Sequence, residues 1–193
     1  MSGGRAPVIL YVLLGAFLGG AAVQYWIVTA NVAGPTGAQT LPLGGEVTTV
    51  QQAVDRLNTL VPSQSHTMAD VGDHWANLWF AAQAQNWPLA QFMFAEARQH
   101  IRWTVAIRPV RQLEGKPVDI KGIWDGLEPS TFAAVEIAIS TEDKAEFEKE
   151  YRVALESCYA CHKASGLPFL RPQIPTAPSS TMINFDPKAE WPQ

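Results

Sequence analysis

The chain has 193 residues, of which 47% are hydrophobic and 17% charged, with a net charge of −4. That composition suits one folded domain with additions. It excludes disorder as the main state and the basic footprint of a nucleic-acid binder. Seven tryptophans suit either a thick aromatic core or the walls of a flat, apolar cofactor site.

Pro7 to Ala30 carries no charge and is long enough to cross a bilayer as a helix. Residues 1–30 are therefore expected to form a transmembrane anchor. Arg5 precedes the span and the next charge is Glu46. The positive-inside rule then predicts a single pass through the inner (cytoplasmic) membrane, N-terminus in, with the remainder in the periplasm. Tyr25 and Trp26 sit near the outer end, where aromatic rings prefer the interface. A cleaved signal peptide is the alternative, but such peptides have apolar cores of only about 7–15 residues. Residues 31–45 are rich in Gly, Pro and small polar residues and read as a linker. Residues 46–66 hold a short amphipathic helix, with Val50, Val54, Leu57 and Val61 at helical spacing and Pro62 at its end, followed by a connection.

Residues 67–166 carry the main domain. Thr67 to Gln85 reads as one helix, with Met68, Val71, Trp75, Leu78 and Ala82 along one stripe. Asn86 is placed to cap a second helix, Pro88 fits its first turn, and Pro109 stops it. The short connection makes these two antiparallel neighbours. Arg108 to Ser130 reads as a long excursion, and Ser130 to Ser140 as a third, shorter helix. Ser140 or Thr141 is expected to cap a fourth, with Glu142 and Asp143 in its first turn. Phe147, Tyr151, Ala154, Cys158 and Cys161 follow at core spacing on that helix. Nothing in the pattern reads as a strand. Residues 167–193 carry repeated prolines and are expected to lie extended. The fold class is then all-α: a four-helix up-down-up-down bundle with an N-terminal transmembrane helix and an extended, Pro-rich C-terminal tail.

The two cysteines of the chain, Cys158 and Cys161, stand three apart, and His162 follows directly. On a helix both thiols leave one face, and His162 lies beside Cys158. This is the arrangement for covalent attachment of one haem c: each thiol forms a thioether with one vinyl group, and the neighbouring imidazole is the proximal iron ligand. A disulfide, a thioredoxin-like redox pair and a structural zinc site are the alternatives. The redox pair expects a βαβ context, the zinc site four ligands. The position of the motif on the last helix resembles the class II cytochromes c, cytochrome c-prime and its low-spin relatives such as cytochrome c-556, over roughly residues 67–166. Lys163 suits a family whose motif is commonly flanked by basic residues. Gly166 stands where many cytochromes c-prime carry an arginine.

The resemblance implies that the first helix covers the iron face opposite His162, with a methionine in low-spin members and an apolar residue in cytochromes c-prime. Helical rise ranks the candidates. At about 1.5 Å per residue, His162 lies roughly 30 Å from the start of its helix; Met68 lies about 27 Å, and His74 about 18 Å, from the same end of the bundle. Met68 is thus the expected metal ligand, with His74 the rival and His66 within reach of a loop. Met93 reads as core filler, and Met182 would need an unusual path. Trp75, Trp79 and Trp103 are candidate porphyrin walls. Arg98, Arg102, Arg108 and Arg111 are candidate propionate partners, with a solvated face as the default. His74 and His100 fall at similar levels on adjacent helices.

The expected function is single-electron transfer between redox partner proteins, the anchor holding the carrier near them. No phosphate loop, second cofactor motif or nucleophile–base spacing is present, so no enzymatic activity is expected. The alternatives are a nitric oxide- or carbon monoxide-binding protein of the cytochrome c-prime type, and a haem subunit docked on a larger membrane complex.

Overall fold

Helix dominates the computed structural model, which describes residues 39–40, 46–47 and 49–190 and divides after Thr49 into two units. In the first unit, β1 (Gln39–Thr40) pairs antiparallel with β2 (Glu46–Val47), Gln39 opposite Val47. The expected anchor over residues 1–30 lies outside the described residues. Among the described residues, no helix is long and apolar enough to cross a membrane.

The second unit opens with α1 (Val50–Leu60), whose Val50, Val54, Leu57 and Leu60 are exposed. Helix α2 (Gln64–Gln83) begins three residues before the expected Thr67, because Ser63 caps it by accepting from the His66 amide. Residues 84–86 turn the chain into α3 (Trp87–Ile107), where Asn86 does accept from the Leu89 amide. Thr67 and Thr104 share a hydroxyl hydrogen bond of 2.6 Å at one end of this pair, and the turn closes the other, so α2 and α3 run antiparallel.

The excursion after Pro109 is a correction to the sequence reading. Val110–Leu113 (β3) and Lys116–Asp119 (β4) form a hairpin in which Arg111 faces Val118. Glu114 and Gly115 both have positive φ, the requirement of a two-residue type I′ turn. Asp119 then caps α4 (Ile120–Leu127) by accepting from the Gly122 amide. A single π-turn, Glu128–Phe132, carries the chain into α5 (Ala133–Ser140). Pro129 has no N–H to continue the α ladder, and Ala133 reaches back five residues to the Glu128 carbonyl.

Asp143, not Ser140 or Thr141, caps α6 (Lys144–Ala164). Thr141 and Glu142 instead finish α5, with the Glu142 amide on the Ile139 carbonyl and the Asp143 amide on that of Ala138. Helix α6 ends the same way. Gly166, at φ 74°, donates to Lys163, and Leu167 donates to His162, the paired bonds of a Schellman stop.

Trp75 lies at the centre of the core, 5.2 Å from the Tyr151 ring, 5.4 Å from Phe132 and 6.4 Å from Phe94. The Tyr151 hydroxyl donates to the Trp75 carbonyl at 3.0 Å. Ala81, Ala82, Ala90, Ala97, Ala138 and Ala154 are fully buried and allow the helices to approach closely. The tail runs without helix. Ser179 and Ser180 amides donate to the Asn77 side chain, and Ile174, Ile183 and Phe185 pack on the core. The unit is therefore mostly helical, with a hairpin that the sequence pattern did not suggest.

Candidate functional site

The last two turns of α6 face a cavity of about 490 Å³ lined by Cys158, Cys161 and His162. Across it α2 contributes Met68, Val71, Gly72 and Trp75, and Ile120 enters from the start of α4. Leu155, Leu167 and Leu170 complete apolar walls. A smaller recess of about 70 Å³ touches Met68 and the same three α6 residues, and continues between Ile101, Ile123, Trp124, Leu127 and Phe132. Polar groups gather elsewhere on the lining: Gln64, Ser65, Arg111 and Arg171.

His162 is oriented by the chain that follows it. Its Nδ1 lies 2.8 Å from the Leu170 carbonyl oxygen. A carbonyl can only accept, so Nδ1 is the donor, and in the neutral imidazole this leaves the lone pair on Nε2. That is how metal-binding histidines are commonly held. The Schellman stop at Gly166 makes the contact possible by reversing the chain within four residues of Leu170. Leu113 of the hairpin packs where a Gly166 side chain would stand.

Both cysteines are free thiols. Burial pushes the Cys158 thiol up to about 12, and the nearby Cys161 adds to this. Burial also raises Cys161, opposed by a hydrogen bond with the Ser165 side chain. Tyr151 is raised above the ordinary phenol range, by burial first and Cys158 second. All three groups are therefore neutral near pH 7.

The residues fit a covalently held haem. The cavity volume lies within the roughly 300–1,000 Å³ usual for cofactor sites. Its walls are apolar and two thiols and an oriented imidazole share one side. Arg111 has a buried Nε without a partner, and its Nη1 makes only a long 3.4 Å contact to Gln64. With Arg171 it offers unspent positive charge to the carboxylates such a group carries.

The other candidates separate clearly. His74 does not line the cavity; its ring lies 5.2 Å from that of His100. His66 is exposed. Met93 is core, whereas Met182 is 94% exposed. Trp75 is a cavity wall. Trp79 instead packs on Phe147 and Tyr151, and Trp103 is 47% exposed against His100. Arg98 pairs with Glu136, Arg102 with Glu128, and Arg108 donates to the carbonyls of Asn58 and Val61, which leaves Arg111.

Arg171, the Leu170 carbonyl and the α4 residues escaped the sequence reading. Ile120, Ile123, Trp124 and Leu127 follow the i, i+3, i+4, i+7 spacing of an amphipathic helix; that signal was present in the excursion. No family model, curated protein or solved structure matches the chain.

Proposed function

We propose that the chain is a membrane-anchored, monohaem c-type cytochrome that carries single electrons on the periplasmic side of the inner membrane. In this reading α2, α3, the α4–α5 stretch and α6 are the four helices of an up-down-up-down bundle of the class II cytochrome c kind. One observation carries the proposal: the Cys-x-x-Cys-His sequence opens onto an apolar cavity that Met68 of α2 also lines.

Haem c would supply a one-electron iron couple at this position. Cys158 and Cys161 would hold it, each by addition of S–H across one vinyl group, sulfur to one carbon and hydrogen to the other, which needs no oxidant. His162 keeps Nδ1 on the Leu170 carbonyl and would offer Nε2 to the metal. Met68 would offer its thioether to the iron from the α2 side of the cavity. Val71, Trp75 and Leu155 would exclude water, and Arg111 and Arg171 would take the carboxylates. No residue is assigned a catalytic role. The anchor raises the effective concentration of the carrier near its redox partners.

Mass spectrometry of the denatured, exported protein, with oxidised and reduced spectra, tests the proposal. The expected result is a mass increase of one haem that survives denaturation and a six-coordinate spectrum. Met68→Ala should become five-coordinate and bind carbon monoxide readily. A colourless protein of unshifted mass refutes the reading. Rapid carbon monoxide binding by the parent protein would turn it toward a gas-binding role. An unchanged Soret band in Met68→Ala would remove Met68 as ligand.

A further inference from the structure

Helices α2 and α3 bring together a second set of ligating side chains, none of which lines the cavity. Asp70 and His74 stand four apart on α2, and Glu96 and His100 four apart on α3. Residues at that spacing share one helix face, and the antiparallel pairing puts the two faces in contact. We infer that His74, Glu96 and His100 form a binding site for a divalent transition-metal ion, with Asp70 supporting His100.

Ligand atoms of the three residues all lie within 4.8 Å of one another. Donors around a tetrahedral ion at about 2.1 Å stand roughly 3.4 Å apart, so modest side-chain rotations close the set. All three side chains are half-buried, so their desolvation is already partly met in the fold. His100 Nδ1 is buried without a hydrogen-bond partner. Asp70 Oδ2 lies 3.5 Å from it, an ion-pair distance too long for a good hydrogen bond. An unsatisfied buried nitrogen is costly. An ion held by the set relieves that cost, either by taking Nδ1 as ligand or by fixing the ring for Asp70 to close on it.

Two imidazoles and a carboxylate without thiolate suit zinc, copper, nickel or ferrous iron; calcium and magnesium prefer oxygen ligands. Three protein ligands leave at least one position for water or an exogenous ligand. The site does not depend on the haem reading, since it shares no residue with the cysteine motif.

The test uses the purified full chain, stripped with chelator and titrated with Zn²⁺ alone against a chromophoric competitor. The expected result is one saturable equivalent and a melting temperature that rises with Zn²⁺ by mass action. His74→Gln, His100→Gln and Glu96→Gln should each weaken binding by more than about 100-fold. Asp70→Asn should weaken it by about 10–100-fold, the range for an outer partner. His66→Gln should leave it unchanged. Circular dichroism reports whether each variant folds, and any one folded variant of the triad suffices. No saturable equivalent, binding indifferent to the folded triad variants, or binding lost with His66→Gln would each overturn the inference.

Discussion

Gly166→Ala tests whether the stop after α6 holds the site together. Gly166 sits at φ 74°, where an L-residue costs about 1–2 kcal/mol more than glycine. The new methyl would also overlap the Cδ1 methyl of Leu113 and stand 3.2 Å from its Cδ2. Overpacking costs about 1–3 kcal/mol. Leu113 is only half-buried and can partly turn aside, so the lower end of that range applies. The expected loss is about 2–3 kcal/mol, read as a lower urea midpoint with an unchanged slope. Adding Leu113→Ala should relieve the contact and leave a coupling of about 1 kcal/mol between the two sites. The reverse substitution follows from the same physics. Gln85 occupies the equivalent position after α2, at φ 56° with the same paired backbone bonds, so Gln85→Gly should stabilise by about 1 kcal/mol. A Gly166→Ala protein as stable as its parent, or a Gln85→Gly protein that is weakened, would refute the reasoning.

Tyr151→Phe keeps the ring in the Trp75 stack but removes the 3.0 Å hydrogen bond to the Trp75 carbonyl; thermal or urea unfolding should show a loss of about 1 kcal/mol. In the haem-free chain, the Cys158 thiol, pushed up to about 12 by burial, should alkylate at pH 8 up to about 10²-fold more slowly than a free thiol of pKa about 8.5, the scarcer thiolate being partly offset by its greater nucleophilicity. The folded pKa is raised, so the neutral thiol favours the fold fully below about pH 8.5, and this contribution is lost as pH rises toward 12. Peptide mapping after timed iodoacetamide labelling checks the rate, and labelling at the free-thiol rate at pH 8 would count against the raised Cys158 pKa.

Local patterns in the chain were enough for the long helices. The stripe from Met68 to Ala82 and the cap at Asn86 act over one or two turns, so sequence spacing reads them directly. The spacing of Cys158, Cys161 and His162 is also local and is read without reference to the rest of the fold. Other features depend on contacts between distant segments. The hairpin and α4 were read only as a long excursion, although Ile120, Ile123, Trp124 and Leu127 carried a helical period. The capping of α6 moved to Asp143 because α5 finishes through Glu142, a residue whose sequence gives no hint of positive φ.

The sequence by itself determined where the long helices lie and that Cys158, Cys161 and His162 share one helix face, because each follows from periodicity or adjacency. Only the tertiary structure decided that Leu170 orients His162, that Arg111 and Arg171 meet at one cavity, and that His74 turns to His100 instead. Those outcomes rest on which faces of separate elements pack together. Packing of that kind is chosen by the whole core and leaves no mark at short range along the chain.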